Sequence, residues 1–201
     1  SIVFLPIMTR ILTVDEYGII GTLAPVTTFL TVILGLGIYN AQMKQYVVLK
    51  DDKKELGSYL FFLFFILIII NAVFLLFLLT PVSESVFSRI PGLDKITYSP
   101  YVILSAAIAT VNVFNILAIR FFRMQKKYTQ VALGSLLSFF SNYMLAIFFI
   151  SRMKLGVTGY LTANLAAVLL LFLYYARGYF SNFRLPVRVK YIKYSLKNGI
   201  P

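Results

Sequence analysis

Five long apolar stretches, separated by short polar connectors, dominate the chain. A helix that crosses a bilayer needs about 20 mostly apolar residues, and each stretch reaches that length. The pattern predicts spans over residues 17–41, 57–80, 100–122, 129–150 and 156–177. The second stretch is the most apolar, because Asn71 is its one amide and no charged residue interrupts it. The sequence therefore predicts an all-α fold, a polytopic membrane bundle.

Shorter helical segments are predicted at both ends of the chain. Residues 1–12 are apolar but would rise only about 18 Å as a helix, less than a hydrocarbon core of about 30 Å. We expect them to be the end of a span that begins before this sequence, which brings the bundle to about six transmembrane helices. Residues 191–201 are amphipathic and favour the approach to a further helix. The predicted organisation is a bundle over residues 1–190, its first helix truncated, and the start of another helix over 191–201.

Composition excludes several classes of protein. Apolar residues make up 60% of the chain and charged residues 13%, whereas an average soluble domain is about 25% charged. The chain has no Cys and no His, which removes thiolate nucleophiles, the usual general base and the commonest metal ligand. We therefore expect no metal and no cofactor. Nucleic-acid binding fits poorly, because most basic residues lie at the ends of apolar stretches.

The net charge of +12 is distributed unevenly along the chain. All seven acidic residues lie at or before Asp94. When the connectors are numbered in order, five Lys and Arg residues fall in the odd connectors and 14 in the even ones. Short loops rich in Lys and Arg stay in the cytoplasm. The even connectors are therefore predicted to be cytoplasmic.

Polar residues form stripes on two neighbouring predicted spans. At 100° per residue, one stripe covers an arc of about 80° and the next about 60°. Two interpretations remain open, namely hydrogen bonds between helices and a hydrated passage that binds a polar substrate. The candidate substrate-binding residues in the third span are Ser105, Asn112, Asn115 and Arg123, with Arg120 near the edge of the stripe, and those in the fourth are Ser135, Ser138 and Asn142.

Arg10 is a further candidate, since it lies among apolar residues at the outer end of the first helix. It could be an ordinary interfacial arginine, paired with Asp15 or Glu16. Alternatively, it could face the bundle interior and bind an anion. The sequence favours neither.

Small residues and a proline share one face of the first long span, at Gly18, Gly21 and Pro25. Small residues allow helices to pack closely. Pro25 removes one helix hydrogen bond and favours a kink. A hinge and a tight static contact are both consistent with this pattern.

The segment LPIMTRILTVDEYGIIGTL resembles the end of the first helix and the start of the second in bacterial polysaccharide exporters of the O-antigen flippase type. The matching positions of the family pattern are Pro6, Thr9, Arg10, Leu12, Thr13, Glu16, Tyr17 and Gly18. The glycine-rich LGLGIYNAQMKQY and the final YIKYSLKNGIP are similar to later parts of the same family, at the second helix and before the seventh.

The resemblance implies a member of the multidrug, oligosaccharidyl-lipid and polysaccharide exporter superfamily, in which two bundles of six helices enclose a cavity. This chain would be the N-terminal bundle, and residues 191–201 would begin the seventh helix. The implied cargo is a polyprenyl-pyrophosphate-linked oligosaccharide, flipped across the bacterial cytoplasmic membrane. The implied partners are this lipid-linked oligosaccharide, membrane lipids and the C-terminal half of the transporter. Arg10 is the cationic position that matches the family pattern.

Three rival functions are weaker, and one is a non-transporting scaffold or channel, against which the aligned polar stripes and the family resemblance argue. A drug or cation antiporter of the same superfamily commonly needs a carboxylate within the membrane, and all seven acids fall in predicted connectors. A membrane enzyme acting on the same lipid needs a base, a nucleophile or paired carboxylates that bind a metal. Asp51 and Asp52 are an acidic doublet, and they lie in the polar run KDDKKE. We therefore expect a transporter and not an enzyme.

Overall fold

The computed structural model describes residues 5–90, 92–93 and 96–184, and these residues form helices joined by short turns. The helices in chain order are α1 (Leu5–Ile11), α2 (Val14–Gly35), α3 (Ile38–Leu49), α4 (Lys53–Leu78), α5 (Pro81–Phe87), α6 (Ile103–Met124), α7 (Tyr128–Ser151) and α8 (Gly156–Phe180), and a kinked turn (Tyr98–Val102) leads into α6. The predicted helix over 191–201 lies outside the described residues.

The five predicted spans correspond to the long helices, with one correction. The span predicted over residues 17–41 is not continuous, because α2 ends at Gly35 and α3 begins at Ile38. Leu36 and Gly37 both have positive φ, 44° and 63°, which breaks the right-handed helix. Glycine adopts that conformation readily because it has no Cβ. The break therefore follows from the glycine-rich sequence LGLG.

The start of α4 also differs from the sequence prediction, since the helix begins four residues earlier, at Lys53. The carboxylate of Asp52 accepts hydrogen bonds from the backbone N–H groups of Lys54 and Glu55, at 3.0 and 2.9 Å. A carboxylate at this position satisfies N–H groups that have no partner within the helix. The polar run at this connector therefore serves as a helix cap. The short helix α5, in the next connector, was not predicted.

Helix α6 lies at the centre of the bundle, where it contacts α2, α3, α4, α7 and α8. It is the most buried of the five long helices, whereas α7 is the most exposed. The side chain of Gln42 on α3 is fully buried and donates to the carbonyl of Leu117 on α6, at 3.2 Å. A hydrogen bond between a buried side chain and a backbone carbonyl of another helix stabilises the contact between the two helices.

The turn from α1 to α2 is held in place by a cap and an apolar anchor. Thr13 precedes α2, and its side chain and that of Glu16 form a reciprocal capping box. Leu12 is buried against α7 and α8, in a cluster with Ala146, Ile150 and Ala163. The carboxylate of Glu16 also lies against Gly156, at the start of α8. The beginnings of α2 and α8 therefore meet at this point.

The small face of α2 is open among the described residues. Gly18 and Gly21 are exposed, and no described atom lies within 4 Å of a Cβ built at either position. The tight static contact that the sequence allowed is therefore not formed in this part of the chain. Pro25 lies on the same exposed side of α2.

We predict that Glu16→Ala lowers the free energy of unfolding by about 1 kcal/mol, the usual contribution of a helix cap. The variant loses the carboxylate that accepts from the Thr13 N–H at 2.8 Å and from its hydroxyl at 3.1 Å. Thermal unfolding in detergent would measure the change. Asp15→Ala is the matched control, since it removes an acid from the same helical turn but no capping bond. Equal losses in the two variants would contradict the capping role.

Candidate functional site

A polar crevice lies between α2, α6 and α8, with a volume of about 210 Å³. Its polar side chains come from all three helices and are Thr27, Thr28, Asn112, Tyr160 and Asn164. Asn112 is near the middle of the span Tyr98–Met124. Counted from the starts of α8 and α2, Asn164 and Thr27 lie about 12 and 20 Å along their helices. The crevice is therefore within the membrane, where polar groups are costly.

The amides of Asn112 and Asn164 are the notable groups of this crevice. Both residues are half-buried, and neither side chain makes a hydrogen bond to another described residue. An amide without a partner in an apolar environment costs a few kcal/mol. These two amides therefore suit a crevice that holds water or a polar ligand.

The threonines of the α2 wall are already partly satisfied. The hydroxyls of Thr27 and Thr28 donate to the carbonyls of Leu23 and Ala24, at 2.9 and 3.0 Å. Each hydroxyl oxygen still has lone pairs that can accept a hydrogen bond. The α2 wall therefore offers acceptors, while the two asparagines offer donors and acceptors.

The polar stripe predicted on α6 divides between two environments. Asn115 is only 2% exposed, and its amide donates to the carbonyl of Val168 on α8, at 2.9 Å. Ser105 is fully buried, and its hydroxyl makes no hydrogen bond within the described residues. Asn112 alone of these three opens onto the crevice. Asn115 therefore matches the interpretation of the stripe as hydrogen bonds between helices. Asn112 matches the other interpretation, a hydrated passage.

The polar residues predicted on α7 do not line this crevice. Ser135 is exposed, and its hydroxyl donates to the carbonyl of Val131 in the same helix, at 3.0 Å. Ser138 and Asn142 are half-buried, and the amide oxygen of Asn142 is buried without a partner among the described residues. The structure therefore does not bring the stripes of α6 and α7 together into one cavity. A substrate-binding role for these α7 residues stays a prediction.

Arg120 and Arg123 lie toward the cytoplasmic end predicted for α6. The guanidinium of Arg120 donates to the side-chain oxygen of Asn40 at 3.0 Å and lies 4.1 Å from the centre of the Tyr39 ring. Both partners are neutral, so the positive charge of Arg120 is not compensated there. Arg120 is two helical turns, about 12 Å, from Asn112. Arg123 is exposed one turn further on.

Arg10 lies in the last turn of α1 and is exposed. The pairing with Asp15 or Glu16 that the sequence allowed is not formed in the described part of the chain. Glu16 is instead occupied by the capping box with Thr13. Arg10 therefore has no carboxylate partner among the described residues, and its role as an anion ligand stays a prediction.

Sequence reasoning missed the contribution of α8 to the crevice. Tyr160 and Asn164 are four residues apart, so they lie on one face of the helix, one turn from each other. That spacing was the available signal. It was weak, because a single pair on a mostly apolar helix is also typical of a contact between helices.

The fold and the crevice define a polytopic helical membrane protein. Five helices in the described residues are long and apolar enough to cross a bilayer. The chain belongs to the polysaccharide biosynthesis protein family, whose model matches residues 1–201. The match supports the flippase-type family that the sequence resembled. The comparisons with curated proteins and with solved structures give no match.

We predict that Asn115→Ala lowers the free energy of unfolding by roughly 1 to 2 kcal/mol, because it removes a bond between helices and leaves a small cavity. Asn112→Ala is the matched control on the same helix, since the side chain of Asn112 makes no such bond. Its effect on stability should be small. Midpoints of thermal unfolding in detergent would compare the two variants. A larger loss for Asn112→Ala would contradict the assigned contacts.

Proposed function

We propose that this protein flips a polyprenyl-pyrophosphate-linked oligosaccharide across the bacterial cytoplasmic membrane, for the synthesis of a surface polysaccharide. In this proposal the chain is the N-terminal lobe of a two-lobe transporter of the multidrug, oligosaccharidyl-lipid and polysaccharide exporter superfamily. The observation that carries the proposal is the pair of unbonded amides at Asn112 and Asn164, at mid-membrane depth in a chain of a polysaccharide biosynthesis family.

The chemistry of the crevice suits a carbohydrate. Sugar hydroxyls both donate and accept hydrogen bonds, and so do asparagine amides. The other polar walls are threonine and tyrosine hydroxyls, which are neutral. A neutral surface of hydrogen-bonding groups can bind sugars without the strong attraction of a charged group, so the sugars can also leave. It supplies binding but no positioned base or nucleophile, which supports transport and not catalysis.

The size of the crevice supports a two-lobe arrangement. Pockets that enclose drug-sized ligands have volumes of about 300 to 1,000 Å³, so a crevice of about 210 Å³ cannot enclose an oligosaccharide. It can contact about one sugar ring. The rest of the passage must then come from elsewhere, and the open face of α2 beside Gly21 and Pro25 is the surface where a second lobe would complete it.

The charge distribution suits the pyrophosphate group of the cargo. Arginine binds phosphate oxygens through paired, charge-assisted hydrogen bonds. Arg10 lies at the outer end of the bundle without a carboxylate partner in the described residues. Arg120, at the other end, has neutral partners only. Both can offer positive charge to an anionic headgroup, whereas the prenyl chain would stay in the lipid.

The acidic residues do not favour the antiporter. The described acids lie in connectors or in the first turns of helices, such as Glu16 in α2 and Glu55 in α4. None of the acids of the described residues faces the crevice. Proton or cation exchange commonly uses such a carboxylate, so lipid-linked oligosaccharide remains the proposed cargo.

We predict that the double variant Asn112→Leu and Asn164→Leu lowers polysaccharide export roughly 30-fold, because it removes two hydrogen-bonding groups worth about 1 kcal/mol each. Surface polysaccharide would be measured in cells that carry only the variant, full-length protein, with its membrane level measured in parallel. Asn71→Leu is the matched control. Asn71 is buried in α4 and donates within its own helix, to the carbonyl of Leu67 at 2.8 Å. Normal export by the double variant would refute the proposed site.

We predict that Arg10→Ala also lowers export while its membrane level stays unchanged, and that Arg10→Lys retains part of the activity because it keeps the charge. Arg152→Ala is the control, since Arg152 is an exposed arginine in another odd connector. The same surface polysaccharide assay applies. Equal export by Arg10→Ala and Arg152→Ala would make Arg10 an ordinary interfacial residue.

A further inference from the structure

A second and larger cavity lies at the other end of the bundle, about 490 Å³ in volume. It is formed by the end of α6, the start of α7 and the last turns of α8. The connector from α6 to α7 and the segment after α8 belong to the even-numbered connectors, which are rich in Lys and Arg. This end of the bundle is therefore predicted to be cytoplasmic. The cavity shares no lining residue with the crevice around Asn112.

Two cations line this cavity, one from each side. Lys127 precedes α7, and Arg177 lies in the last turns of α8. Both are exposed, and neither forms an ion pair within the described residues. From Lys95 onward the sequence contains no Asp or Glu, so the segment after Arg184 has no acidic side chain that could neutralise them. The cavity therefore carries a net positive charge.

The aromatic wall of the cavity is held by several contacts. The hydroxyls of Tyr174 and Tyr175 donate to the carbonyl of Gln130, at 3.3 and 3.5 Å. The rings of Tyr175 and Phe122 are 5.3 Å apart. The ammonium of Lys127 lies 5.4 Å from the centre of the Phe122 ring, where a cation is attracted by the aromatic face. Lys127 is therefore held at the cavity and not directed away from it.

Close helix packing at two glycines fixes the same wall. A Cβ built at Gly178 would lie 2.8 Å from Cζ of Phe122, and one at Gly134 would meet the hydroxyl of Tyr175. At both glycines the added Cβ would lie closer to the aromatic side chain than an ordinary van der Waals contact allows. The shape of the cavity therefore depends on glycine at these positions and exists before any ligand binds.

Exposed leucines lead from the cavity toward the middle of the bilayer. On α8, Leu173 and Leu170 lie one and two turns before Arg177 and are 65% and 41% exposed. On α7, Leu133 and Leu137 lie one and two turns beyond Gln130 and are 54% and 41% exposed. Residues three, four and seven apart share a helix face. A polar, cationic cavity at the membrane surface is thus continuous with two apolar stripes.

We infer that this cavity binds the phosphate group of an anionic phospholipid of the cytoplasmic leaflet. Lys127 and Arg177 contact the phosphate, the amide of Gln130 lies within the same cavity, and the acyl chains lie along the leucine stripes. Basic pockets between helices on the cytoplasmic side are a recognised form of binding site for anionic headgroups. This site is separate from the proposed transport path and does not depend on the identity of the cargo.

Binding of phosphatidylglycerol to the purified, full-length protein tests the inference, with phosphatidylcholine as the zwitterionic comparison. Native mass spectrometry in detergent would measure the bound fraction across a titration. The double variant Lys127→Gln and Arg177→Gln should bind phosphatidylglycerol roughly 30-fold more weakly, the loss expected for two cations near an anionic headgroup. Binding of phosphatidylcholine should be weak and equal in both proteins.

Two further variants separate lost binding from lost folding. Lys127→Arg with Arg177→Lys keeps both charges and should retain binding of phosphatidylglycerol. Arg152→Gln with Lys154→Gln removes two exposed cations from the opposite end of the bundle and should also retain it. Unchanged binding by the double glutamine variant at the cavity would overturn the inference. An equal loss in the variant at the opposite end would overturn it as well.

Inorganic phosphate distinguishes a lipid from a free anion. If millimolar phosphate displaced phosphatidylglycerol from the parent protein, the cavity would be a site for a free phosphate, and the lipid assignment would be wrong. We expect no displacement, because phosphate lacks the acyl chains that contact the leucine stripes. None of these measurements involves polysaccharide export, so a failure here leaves the proposed transport function untouched, and the reverse also holds.

Discussion

A polar group in the hydrocarbon core costs free energy unless it has a hydrogen-bond partner, and this constraint organises the bundle. The buried amide of Asn115 meets this constraint in part, by donating to the backbone carbonyl of Val168. The threonine hydroxyls of α2 meet it within their own helix. The amides of Asn112 and Asn164 make no such bond within the described residues, and unlike the unpartnered groups of Ser105 and Asn142 they line the crevice. The same constraint that stabilises the fold thus identifies where the fold is open to a polar ligand.

The segment around Arg10 combines residues that hold the fold with the arginine that we propose as an anion ligand. Thr13 and Glu16 cap α2, and Leu12 anchors the turn against α7 and α8. These three positions of the family pattern therefore have a role in folding that needs no substrate. Arg10 has no comparable contact in the described residues. The cap and the anchor keep the turn that follows Arg10 at a fixed place relative to the starts of α2 and α8.

The sequence was sufficient to predict the spanning helices, because a run of about 20 mostly apolar residues is typical of a transmembrane helix. Local conformations were harder to predict. The break at Leu36 and Gly37 depends on two residues with positive φ, and a hydropathy pattern does not report φ. The helix α5 is seven residues long, which is too short for apolar periodicity to be distinctive.

The candidate site was predicted in part, for a geometric reason. Angular spacing correctly placed Asn112 and Asn115 near one another on α6, but it does not say which helix each side chain meets. Asn115, which packs against α8, and Asn112, which opens onto the crevice, differ by only about 60° around the axis of α6. The contribution of α8 itself, through Asn164, required the packing of three helices to be known. For the same reason the stripe on α7 could not be assigned from its own periodicity.

The walls of the crevice differ in how firmly they are joined to the rest of the bundle. The α6 and α8 walls are tied to each other by Asn115 and the carbonyl of Val168. The α2 wall extends across Pro25, because Leu23 and Ala24 precede the proline and Thr27 follows it. Pro25 has no N–H to donate to the carbonyl of Gly21. If the crevice widens or narrows while a sugar passes, the missing hydrogen bond at Pro25 lets α2 bend within its own wall, whereas the bond between Asn115 and Val168 keeps the α6 and α8 walls at a fixed spacing.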